Sequence, residues 1–92
     1  MTNICLIITF ARNKNLHDLI TCAKLHCKKI YIYQNQSSPE FDADCKKVTQ
    51  IIKKNIGKNV IFYRPPKHLP SEKSIVYAIT KFFELEKYGT IF

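Results

Sequence analysis

The chain opens on a nearly unbroken apolar run over residues 3–10, containing Ile4, Leu6, Ile7, Ile8, Thr9 and Phe10. A β-branched run that barely alternates predicts a strand covered on both faces. The period then changes. Leu16, Leu19, Ile20, Ala23 and Cys27 fall on one face of a helix expected over 14–27, with Asn13 or Asn15 as its N-cap. A second strand is expected over 29–33, Lys-Ile-Tyr-Ile-Tyr, leading into the polar stretch Gln34-Asn35-Gln36-Ser37-Ser38. Ser38-Pro39-Glu40 reads as a helix start, with Ser as cap, Pro in the first position and an acid in the first turn. Ser37 with Glu40 offers an alternative capping box. The helix that follows carries Phe41, Cys45, Val48, Ile52 and Ile56 on one face, and Gly57 is placed to close it.

A third strand is expected over 59–63. The next seven residues, Arg64-Pro65-Pro66-Lys67-His68-Leu69-Pro70, hold three prolines and so permit neither helix nor strand. Ser71 is positioned to cap a third helix with an apolar stripe of Ile75, Val76, Ile79, Phe82, Phe83 and Leu85, closed by Gly89. Thr90-Ile91-Phe92 reads as the opening of a fourth strand. This β-α-β-α-β-α-β order, without hairpin signals, predicts parallel strands with right-handed crossovers and helices on both faces. In such sheets ligands bind outside the carboxyl ends of the strands. The loops after the strands are therefore where a site is expected: 11–15, 34–37, and the proline loop running into Ser71-Glu72-Lys73.

Composition narrows the picture. A chain of 92 residues has room for one domain, and its 46% hydrophobic share argues against disorder. No apolar run approaches the roughly 18 residues of a membrane span, and the short run at 5–11 lacks the flanks of a secretory leader. A cytoplasmic location is expected, including the inner membrane surface. Cys5, Cys22, Cys27 and Cys45 form no Cys-x-x-Cys pair, and Cys22 and Cys27 with His26 make a poor zinc pattern. They are expected to be reduced thiols, mostly buried.

The net charge of +8 has three readings: a lysine-rich solvated surface, attraction to an anionic small ligand or lipid, or nucleic acid. Arginine occurs only at 12 and 64 and the lysines are spread over several elements, so nucleic acid ranks last. The only glycines are Gly57 and Gly89, which excludes a Gly-x-Gly-x-x-Gly turn and a Walker loop. His17 and His26 lie nine apart on the first helix, so they share no ligand face, whereas His68 sits in the proline loop.

At the expected site, Arg12 and Lys73 are suited to neutralising a diphosphate, and Asn35 to reading a base or ribose edge. Free amides near Ser71 are suited to meeting an anion. Each residue has a plain structural reading beside this one: Arg12 as a surface arginine, Asn35 as a turn residue, Ser71 as a helix cap.

Four stretches resemble the N-terminal part of GT-A-fold glycosyltransferases, in particular the nucleotide-diphospho-sugar transferase-like proteins of the hemolysin-associated type. They are Ile7-Ile8-Thr9-Phe10-Ala11-Arg12-Asn13; Lys29-Ile30-Tyr31-Ile32-Tyr33-Gln34-Asn35; His68-Leu69-Pro70-Ser71-Glu72-Lys73-Ser74; and Ala78 through Glu84, then Glu86 through Phe92. The resemblance covers the whole chain but only about the first third of such an enzyme. It implies a three-layer α/β/α, Rossmann-like half of a GT-A fold, with a mostly parallel four-stranded sheet in the order 3-2-1-4. It also implies a nucleotide-diphospho-sugar as ligand, nucleotide-binding roles for Thr9, Arg12, Asn35, Ser71 and Lys73, and a divalent metal, Mn or Mg, in the full-length family. Asn35 stands where the family carries an acid, and Pro70 where it carries a flexible glycine. The acidic metal-binding run of the family would begin just past Phe92. The expectation is a glycosyltransferase-like domain without transfer activity of its own. The alternative is a complete non-catalytic α/β module, dimeric through an exposed sheet edge.

Overall fold

The computed structural model describes residues 3–12 and 14–89; the proposed cap Asn13 and the fourth strand expected at 90–92 lie outside these. Within them the fold is α/β. Strands β1 (Ile4–Thr9), β2 (Lys29–Gln34) and β3 (Val60–Tyr63) form one parallel sheet in the order β1-β2-β3. Helices α1 (Leu16–His26), α2 (Asp42–Asn55) and α3 (Ser71–Gly89) connect and follow them. Cys5 pairs in register with Ile30, and Ile30 with Val60.

Side chains alternate across β2, and this divides the packing. Ile30 and Ile32 join Ile7 and Val60 in a cluster with Leu16, Ile20 and Ala23 of α1 and Val48 and Ile52 of α2. Tyr31 and Tyr33 take the other face and meet α3. Tyr31 Oη donates to Glu86 Oε2 at 2.6 Å, Tyr33 Oη pairs with Ser74 Oγ at 2.8 Å, and Tyr63 Oη donates to the Ala78 carbonyl. Each buried phenol thus has the partner that burial demands.

This face overturns the expected orientation of α3. The helix buries Ser74 and Ala78 and half-buries Tyr77, Phe82 and Leu85, while Ile75, Val76, Ile79 and Phe83 are exposed. Three tyrosine hydroxyls need acceptors or small neighbours, so polar and small positions turn inward and the aliphatic stripe turns out. The expected burial of β1 on both faces is corrected as well. It is β2 whose residues from Ile30 on are all buried, whereas Ile4 and Ile8 of β1 are exposed. Among the described residues β1 is an edge strand, and β2 is flanked on both sides.

The helix ends differ in detail from expectation. Asn15 is the N-cap of α1, in the left-handed region at φ 64°, and its carbonyl accepts from Leu19 N at 2.9 Å. Asn tolerates that conformation better than most residues. Ser38 precedes a single 3-10 turn, Pro39–Phe41, and makes no side-chain cap. Ser37 bonds Asp42 rather than Glu40, with Oγ 3.2 Å from Oδ1. Ser71 is the first helical residue of α3, and the carbonyl of Pro70 receives the first helical bond, from Ser74 N at 2.8 Å. Gly57 is not a left-handed cap: α2 ends on extended Ile56, and the Gly57 carbonyl accepts from Val60 N at 3.2 Å in the turn to β3. The Asn55 side chain takes over the closing role, donating to the Ile51 carbonyl at 2.8 Å. Cys45 is buried as expected, but Cys22 is exposed and Cys5 and Cys27 are half-buried.

Burial raises the pKa of Tyr31, Tyr33 and Tyr63; the Glu86 carboxylate raises that of Tyr31 further. An acid with a raised folded pKa contributes stability that is intact below its unfolded pKa, about 10 for tyrosine, and is lost as pH climbs above it. The fold is expected to hold through neutral pH and to unfold cooperatively above about pH 10. Phenolate absorbance should rise in step with loss of helical circular dichroism. Phenolate appearing while the helix signal stays intact would show that the tyrosines are not sealed under α3.

Candidate functional site

The carboxyl ends of β1 and β2 are drawn together by side chains that bond to main chain. Thr9 Oγ1 donates to the Tyr33 carbonyl at 2.8 Å, and Asn35 N donates to the Thr9 carbonyl at 3.3 Å. Gln34, fully buried, donates through Nε2 to the carbonyls of Phe10 and Cys45, both at 3.0 Å, and accepts from Thr49 Oγ1 at 2.7 Å. It ties the exit of β1 to the first turns of α2.

The proline loop is fastened to the β2 exit in the same way. Asn35 Nδ2 donates to the Leu69 carbonyl at 2.8 Å, and Asn35 Oδ1 accepts from Leu69 N at 3.1 Å. Gln36 Nε2 donates to the Pro65 carbonyl at 2.9 Å. The His68 ring nitrogen Nδ1 lies 2.8 Å from the Gln36 carbonyl. A carbonyl only accepts, so the proton sits on Nδ1, leaving Nε2 as an acceptor in the neutral ring.

Between these loops and the start of α3 lies a cleft of about 480 Å³. Thr9, Asn35, Ser71 and Ser74 give it polar groups, and Phe10, Phe41 and His68 give it aromatic walls. Phe10 meets Phe41 edge-on at 5.5 Å between centroids and His68 in a tilted contact at 5.7 Å. The size and the mixture of apolar wall with a few polar groups match a small-ligand site.

Three of the five sequence candidates, Thr9, Asn35 and Ser71, line this cleft; Arg12 and Lys73 do not. Arg12 is exposed. Lys73 borders a neighbouring depression with Glu72, Val76 and Tyr77, reached across Leu69, which lines both hollows. Asn35 lines the cleft with an amide already engaged on both its oxygen and its nitrogen by Leu69, so its first task is to hold the loop. Phe10, Phe41 and Ser74 were missed from the sequence. Phe41 reads as part of the buried stripe of α2 and Phe10 as part of a covered strand, although alternation from buried Ile7 puts Phe10 on the opposite face, with exposed Ile8, which also lines the cleft.

Glu40 is, among the described residues, the one carboxylate that borders the cleft. Among the described residues no group of three or more His, Cys, Asp or Glu is placed to hold a metal ion. No described helix is long and apolar enough to cross a membrane. Comparison with family models, curated proteins and solved structures gave no match to this chain.

Proposed function

We propose that the cleft receives the nucleoside end of a nucleotide-diphospho-sugar, in a glycosyltransferase-like donor domain of the Rossmann-like, four-stranded kind. In this reading the 92 residues bind the nucleotide and do not transfer the sugar. The observation that carries it is a single cleft at the carboxyl ends of β1 and β2 that gathers Thr9, Asn35 and Ser71 against Phe10, Phe41 and His68. A flat heteroaromatic base stacks on such rings, each stack being worth about 1–3 kcal/mol. Ribose hydroxyls match the remaining hydrogen-bonding capacity of Thr9, Ser71 and Ser74. The first-turn amides of α3 lack helical acceptors and favour an anion. From there a diphosphate runs over Leu69 toward Lys73.

The test is a titration of the ¹⁵N-labelled protein with UDP, GDP and CDP, each with manganese and with a chelator. At least one nucleotide is expected to shift the amides of Phe10, Asn35, His68 and Ser71 saturably. Phe10→Ala should weaken binding about fivefold or more, in keeping with one lost stack. Manganese should leave the affinity unchanged, because among the described residues Glu40 alone brings a carboxylate to the cleft. Silence of those amides toward all three nucleotides would defeat the proposal. Binding seen only with manganese would defeat it as well.

A further inference from the structure

On the other side of the β2 exit lies a second pocket, of about 370 Å³, that shares no lining residue with the cleft. One helical face of α2 forms its wall, with Asp42, Lys46, Gln50 and Lys53, and Arg64 enters from the end of β3. Lys46, Lys53 and Arg64 bring three positive charges against the single carboxylate of Asp42. That carboxylate is already engaged: Lys46 Nζ lies 3.1 Å from Oδ2, and Ser37 Oγ 3.2 Å from Oδ1.

Arg64 is the unusual member. Its guanidinium sits over the Phe62 ring at 6.0 Å and donates through Nη2 to the Asn35 carbonyl at a long 3.4 Å. Its Nε is closed off from solvent and meets no acceptor among the described residues. No described carboxylate forms an ion pair with it. A half-buried guanidinium with a stranded donor is costly without an anionic partner. Arginine's fork geometry is matched best by a planar or tetrahedral oxyanion.

We infer that this pocket binds the phosphate group of a small phosphorylated ligand. The anion accepts from Arg64 and is held by Lys46 and Lys53, with Gln50 as a neutral donor at its rim. A dianion suits the local excess of positive charge. At about 30 Å³ per water, the volume holds roughly a dozen waters, enough for a phosphate and a small polar body but not for a folded partner. Helix α2 supplies the lysines at positions 46 and 53, which return to one face after two turns.

The probes are inorganic phosphate, glucose 6-phosphate and glucose, added to the ¹⁵N-labelled chain at constant ionic strength. Phosphate and glucose 6-phosphate should shift the amides of Ser37, Gln50 and Lys53 saturably, with the sugar phosphate the tighter, and glucose should not. The double variant Lys46→Gln/Lys53→Gln alters only exposed side chains, so its fold is expected to survive; it should weaken phosphate about tenfold or more. Arg64→Gln should weaken it at least as much, and Asp42→Asn should tighten it by releasing Lys46. Phe10→Ala, which alters the cleft, should leave phosphate binding unchanged. The inference is overturned if phosphate leaves these amides unmoved at millimolar concentration, if chloride matches it, or if the lysine double variant binds as well as the parent. It is also overturned if a short single-stranded RNA shifts these amides while both phosphate probes do not.

Discussion

Gln34→Ala is expected to be among the most damaging single substitutions in this chain, lowering stability by about 3–5 kcal/mol. The side chain is fully buried, and three of its four hydrogen-bonding capacities are used, by Phe10, Cys45 and Thr49. Truncation leaves a cavity and takes the side-chain donor from the part-buried Phe10 carbonyl. The Cys45 carbonyl suffers less, because the one Thr49 hydroxyl proton, freed by the loss of Gln34 Oε1, turns to it from 2.9 Å. A domain of this length has about 5–14 kcal/mol in total, so the variant should be substantially unfolded or unfold at far lower denaturant. Urea titration followed by circular dichroism measures this. Gln34→Met fills the space without the bonds and should fall between the two. A loss below about 1 kcal/mol for Gln34→Ala would mean that the network does not hold β1 to α2.

The second large effect is at Tyr33, where two substitutions separate ring from hydroxyl. Tyr33→Ala removes a fully buried ring that packs on Tyr63 at 5.3 Å and Tyr77 at 6.1 Å, and should cost about 3–5 kcal/mol. Tyr33→Phe keeps the ring and strands the buried Ser74 hydroxyl, costing about 1–2 kcal/mol. Adding Ser74→Ala to Tyr33→Phe removes both partners at once, so the double variant should be no worse than the single one. Additive losses in that cycle would show that the two hydroxyls are not paired. Thermal or urea unfolding of the four proteins decides it.

The strand and helix sequence was readable because the hydrophobic period changes cleanly at each boundary. The switch from the run at Ile4 to the spacing of Leu16, Ile20 and Ala23 marks β1 and α1 without help from tertiary structure. Parallel pairing followed from the helical connections. What escaped was which face of α3 turns inward. An apolar stripe at 75, 76, 79 and 83 is the stronger local signal, yet the tyrosines of β2 and β3 set a polar requirement that only the packed sheet reveals.

The site was legible as a place and partly as a residue set. The rule that ligands sit at the carboxyl ends of parallel strands points to the loops that carry Asn35 and Ser71, the family resemblance adds Thr9 at the end of β1, and the three do converge on one cleft. Arg12 and Lys73 follow from loop position, charge and the family resemblance, and none of these says which way a side chain leaves its segment. The aromatic lining was hidden because Phe10 and Phe41, at the ends of their elements, carry the same apolar signal as core residues.

The clamps on the proline loop land almost wholly on main-chain atoms: the Leu69 amide and carbonyl, the Pro65 carbonyl and the Gln36 carbonyl. The loop's path is thereby uncoupled from most of its lettering. Positions 67 and 69 can drift in side chain while the backbone stays where Asn35 and Gln36 hold it. Such a wall is well suited to diversification, since new specificities can be tried at Leu69 or Lys67 without rebuilding the scaffold beneath.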